Sequence, residues 1–126
     1  MNQENQKCSI VLQTGFRIFF LGAAFYAVVS MALWFYFYVA QGKIFVAMPV
    51  TVWHGHEMIF GFTMAVVAGF LLTAVMNWTG LPTLHGRPLL SLFLYWLAAR
   101  IFAFMPSSFS LWPMAICDTM FLGFLM

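Results

Sequence analysis

The chain has 126 residues, enough for one compact unit, since domains typically run to about 100–150 residues. Hydrophobic residues make up 64% and charged residues 6%, against roughly 25% charged in an ordinary soluble domain, so the charges cannot cover a water-facing surface. That excludes a soluble enzyme, a disordered tail and a nucleic-acid binder, whose phosphate contacts need clustered Lys and Arg. The net charge of +2 is too small to argue for an anionic partner. Cys8 and Cys117 form no C-x-x-C pair, which removes a zinc knuckle and a redox dithiol.

Lipid cannot satisfy exposed backbone groups and period-two alternation is absent, so each apolar run is predicted as a helix. The first span covers residues 18–40. It is longer than a signal-peptide core of about 7–15 residues and ends in Trp34-Phe35-Tyr36-Phe37-Tyr38, so it reads as a retained span. A turn at Gln41-Gly42-Lys43 and a break at Pro49 precede the second span, residues 53–76. A polar connection, 77–87, leads to the third span, 88–105, with Pro88 at a favourable first helical position. The fourth span, 111–126, covers only about 24 Å of a hydrocarbon core about 30 Å thick. The expected fold is therefore all-α: a polytopic transmembrane helical bundle of four spans, the fourth cut short. Residues 1–126 form one helical unit, expected to be the amino-terminal third of a longer protein.

Lys7, Arg17 and Arg87 fall on one side of the membrane and Lys43 on the other, which places the amino terminus in the cytoplasm. Trp53 and Trp112 then mark the outer interface and Trp78 the inner one. His54, His56, Glu57, Arg100 and Asp118 all fall within roughly 10 Å of the outer helix ends at about 1.5 Å per residue. Charges in a bilayer are costly, so such residues face the bundle interior, pair with one another and mark a site. Two readings stand for Arg100 and Asp118: part of that site, or a structural ion pair (Arg100 with Asp118 or Glu57) that fixes packing.

In the second span Glu57, Gly61, Ala65, Gly69 and Thr73 recur every four residues, a ridge of small residues that admits a neighbouring helix. His54 and Glu57, three apart, share a side of the helix. His54 and His56, two apart, point to nearly opposite sides and cannot both ligate one metal ion. Phe60 stands where H-E-x-x-H would need a second histidine, so this is no zinc protease motif. Two histidines beside a glutamate under a tryptophan are candidates for metal or haem ligation, against the plainer reading of hydrogen-bonding residues. His85 reads as loop surface. Thioether sulfur suits Cu(I), which keeps Met48 and Met58 as secondary candidates; Met31, Met64 and the other methionines read as packing. The Phe and Tyr residues read as bundle packing and interface belts.

Trp53-His54-Gly55-His56-Glu57-Met58-Ile59-Phe60-Gly61-Phe62, then Gly69-Phe70-Leu71-Leu72-Thr73-Ala74-Val75 and Asn77-Trp78-Thr79-Gly80, resemble the NnrS family. Gly15-Phe16-Arg17-Ile18-Phe19-Phe20-Leu21-Gly22, Leu97-Ala98-Ala99-Arg100 and the Asp118 region fit the same pattern. Met76 departs from a frequent proline and Ala99 from a frequent glycine. The resemblance implies a bacterial inner-membrane protein containing haem and copper, active in the nitric oxide and nitrosative stress response of denitrifiers and pathogens. It implies nitric oxide or metal-nitrosyl species as partners, together with later helices of a longer chain. His54 and His56 are then metal-ligand candidates, with Glu57 and Arg100 orienting an imidazole or a haem propionate. No reaction is assigned. The rival readings are a metal-independent transporter or channel with a buried ionisable path, and an assembly subunit packed along the small-residue ridge.

Overall fold

A computed structural model describes residues 15–39, 48–105 and 107–126. Lys7, Cys8, the turn at Gln41-Gly42-Lys43 and Pro106 lie outside the described residues. The described fold is all-helical: α1 Gly15–Val39, α2 Val50–Thr79, α3 Arg87–Phe102 and α4 Ser107–Leu125. Two stretches, Phe16–Val39 and Val50–Thr79, are long and apolar enough to cross a membrane. Large apolar side chains such as Phe25, Val28 and Trp112 face outward, as lipid contact permits and water contact would not favour.

The helix ends differ from the expected bounds by a few residues, each for a local reason. α2 starts at Val50, because Pro49 supplies the carbonyl that accepts the Trp53 amide at 2.9 Å. It runs on to Thr79, whose hydroxyl donates back to the Val75 carbonyl, and stops where Gly80 takes φ +68°, a left-handed conformation that glycine adopts without steric cost. α3 ends at Phe102 rather than at 105. α4 starts at Ser107, so Pro113 lies inside it instead of near its start, an arrangement membrane helices tolerate because neighbouring groups satisfy the freed carbonyl. Asp118 thus lies eleven residues past the start of α4, about 16 Å along the axis and deeper than the roughly 10 Å expected from a start at 111.

Within α2, Glu57–Thr63 forms a π-helical segment. Its wider turn closes i→i−5 bonds: the Met64 amide reaches the Ile59 carbonyl, and the Thr63 hydroxyl donates to the Met58 carbonyl at 2.8 Å. A four-residue ridge on a pure α-helix drifts sideways, since four residues overshoot one turn. The wider turn takes up part of that overshoot and keeps Glu57, Gly61 and Ala65 facing α1. The ridge does admit its neighbour closely. A Cβ on Gly61 would lie 2.5 Å from Tyr26 Cε1, and one on Gly69 would lie 3.3 Å from Phe19 Cβ. Gly61→Ala is therefore expected to cost about 1–3 kcal/mol by overpacking, read as a lowered unfolding midpoint in detergent.

Two apolar clusters form the core. One joins Phe19, Ala23 and Tyr26 of α1 to Ala65, Ala68 and Leu72 of α2, with Leu89, Leu92 and Trp96 of α3 and Phe121 of α4. The other holds Phe37, Trp53, Ala99, Ala103 and Met114. Between them, at the level where Tyr26, Glu57, Arg100 and Asp118 leave their helices, lies a layer of buried charge.

Candidate functional site: a buried charged ring

Glu57 is 0% exposed, Arg100 2% and Asp118 5%. Charges at that depth persist only when compensated, and each of these faces an opposite charge. Arg100 Nε lies 3.0 Å from Glu57 Oε2, and Arg100 Nη2 donates to Asp118 Oδ1 at 2.6 Å. His56 closes the ring, with Nδ1 3.1 Å from Glu57 Oε1 and Nε2 3.4 Å from Asp118 Oδ2. Two carboxylates against one guanidinium leave one negative charge, which an imidazolium at His56 would balance. Glu57 and Asp118 are thus both partners of Arg100, where the sequence had offered one or the other.

Tyr26 of α1 is the residue that sequence reasoning assigned to packing. Its hydroxyl donates to Glu57 Oε2 at 2.5 Å, and its ring meets Trp96 edge-on. A signal was present: Tyr26 lies in mid-span, away from the interfaces where tyrosine belts form, and a buried phenol needs a partner. Trp96 Nε1 in turn donates to the Gly61 carbonyl at 2.8 Å, inside the π segment where the regular ladder is disturbed. Tyr26→Phe keeps the ring and removes one donor to a buried carboxylate that retains Arg100. A loss of about 1 kcal/mol is expected, measured by thermal unfolding against the wild type.

His54 stands apart from the ring. It stacks on Trp34 of α1, with centroids 4.9 Å apart, and its Nδ1 is buried with no hydrogen-bond partner among the described residues. His56 stacks on Phe60, with Nδ1 3.1 Å from Glu57 Oε1 in a hydrogen bond and Nε2 facing Asp118 Oδ2 at 3.4 Å. The two histidines leave α2 on different sides, His54 toward α1 and His56 toward α4. Met48 packs at the edge of the second apolar cluster, together with Cys117. His85 is exposed, with Nδ1 2.9 Å from the Thr83 carbonyl. An apolar cavity of about 470 Å³ opens at the far end, among Leu72, Val75, Leu81, Pro82 and Phe124, remote from the charged ring.

Among the described residues, no three His, Cys, Asp or Glu side chains are grouped to hold a metal ion. A single imidazole is what the residues present could offer a metal centre, through a ring nitrogen that no hydrogen bond occupies. His54 Nδ1 is such a candidate, while His56 as placed is committed to the ring. Neither a curated protein nor a solved structure matches the chain. The family model described as NnrS protein matches residues 10–126, essentially the whole chain, and the chain belongs to the NnrS family.

Proposed function

We propose that this chain is part of an integral inner-membrane protein of the nitric oxide and nitrosative stress response, crossing the membrane four times with its amino terminus in the cytoplasm. In this reading it contributes to a haem- and copper-containing centre. Bound haem iron or copper would supply a coordination site for nitric oxide. The chain's own residues do the rest. His54 offers one imidazole, oriented by its stack on Trp34. The ring of Glu57, Arg100, Asp118 and His56 holds α2, α3 and α4 in register beside it, and Tyr26 fixes the Glu57 carboxylate.

The observation that carries this reading is the unequal state of the two histidines: His54 Nδ1 is buried without a partner, while both nitrogens of His56 face carboxylates. Family membership supports the same reading. The test is haem and copper analysis of the purified protein, with an optical spectrum recorded with and without nitric oxide. A haem band that shifts on adding nitric oxide is the expected result. A folded, colourless and metal-free protein would overturn it and favour transport along the buried charges, to be measured as metal-independent flux in vesicles.

A further inference from the structure

We propose that the apolar cavity at the far end of the bundle holds an acyl chain of one anionic phospholipid, whose headgroup rests at His85 and Arg87. The cavity measures about 470 Å³, within the roughly 300–1,000 Å³ usual for ligand pockets. Leu72 and Val75 of α2 form one wall, Phe124 of α4 another, and the connection before α3 closes it with Leu81, Pro82 and Leu84. That connection folds back along α2. Gly80 turns the chain with φ +68°, the Leu81 amide donates to Thr79 Oγ1 at 3.2 Å, and Thr83 Oγ1 donates to the Leu72 carbonyl at 2.8 Å. Leu72 precedes the last residue of α2, Thr79, by seven positions, so Thr83 is tied about 10 Å back from the helix end. The side chains brought there, Leu81, Pro82 and Leu84, suit hydrocarbon better than water.

The lining selects the chain and the charge selects the headgroup. An apolar cavity stays dry and accepts apolar guests, and Val75, Leu81 and Phe124 on its rim are exposed, so hydrocarbon can enter. Phe19, Leu72, Leu89 and Phe121 share one packed cluster, so α1 and α3 start, and α2 and α4 finish, at this end. It carries exposed Arg17, His85 and Arg87 and, among the described residues, no Asp or Glu. His85 Nδ1 lies 2.9 Å from the carbonyl of Thr83, which itself lines the cavity. Arg87 is three residues past Leu84, which holds their Cα atoms within about 11 Å, an interval that a headgroup and its first methylenes span. Basic pockets between membrane helices take anionic headgroups in this way. Such a site requires the chain to lie in a bilayer and requires neither haem nor copper.

The experiment is native mass spectrometry of the purified protein, released into detergent from vesicles of equal parts phosphatidylglycerol and phosphatidylcholine. Wild type should retain one phosphatidylglycerol per chain after detergent exchange. Val75→Trp, which puts an indole into the cavity, should lose it. Arg87→Gln should keep a lipid but lower the preference for phosphatidylglycerol about fivefold. No retained lipid in the wild type, equal retention of the two lipids, or unchanged retention in Val75→Trp would each overturn the proposal. If Val75→Trp fails to fold, the wild type is crosslinked to phosphatidylglycerol carrying a diazirine in its acyl chain. Labelling concentrated on residues 71–84 and 124–126 supports the site. Equal labelling of Phe25 and Val28, which face outward on α1, excludes it.

Discussion

Replacing Arg100 with methionine is expected to destabilise the chain by about 3–5 kcal/mol, the cost of leaving buried carboxylates without their counter-charge. Glu57 loses the guanidinium 3.0 Å away and Asp118 loses its 2.6 Å bond, and both are almost fully buried. His56 could compensate only one of them. Arg100→Lys should fall between the two, because a compact ammonium cannot serve two carboxylates as a planar fork does. The informative variant is the triple replacement Arg100→Met, Glu57→Gln, Asp118→Asn. If the loss in the single variant comes from unpaired charge, neutralising the ring should recover most of it, since a buried ion pair is often worth little net. Unfolding in detergent micelles measures all three. A single variant as stable as wild type would mean the ring does not hold the helices together.

The second large effect is a crossed pattern at the two histidines. On the proposed function, His54→Ala lowers the haem or copper content of the purified protein while costing only about 0.5–1.5 kcal/mol of stacking on Trp34. His56→Ala is expected to keep the metal content and lower the unfolding midpoint, because Glu57 and Asp118 each lose a ring partner. The reverse pattern would exchange their roles. Full haem and copper in both variants would exclude ligation from this part of α2.

Much of this architecture is legible in the residues themselves. The apolar runs place all four helices, because a segment with so few charges has no other way to satisfy its backbone in lipid. The small-residue ridge of α2 shows which face meets a neighbour, because only Gly and Ala let Tyr26 and Phe19 approach so closely. The two-residue spacing of His54 and His56 already separates them, because helical geometry alone turns them apart. The rarity of ionisable residues singles out Glu57, Arg100 and Asp118 as partners of one another.

What the tertiary structure decided is who pairs with whom. Periodicity names a face, but a partner depends on the register between helices far apart in sequence, which packing settles. Arg100 reaches both carboxylates, Glu57 at 3.0 Å and Asp118 at 2.6 Å, where spacing alone left the two as alternatives. Tyr26 becomes part of the site because Gly61 leaves room for its ring beside Glu57. The π segment, invisible to an α-helical count, is what keeps that ridge turned toward α1. Composition and spacing determined a helical membrane chain with a buried polar layer. The distinction between a histidine set between two carboxylates and one whose Nδ1 has no partner among the described residues arose only when the helices packed.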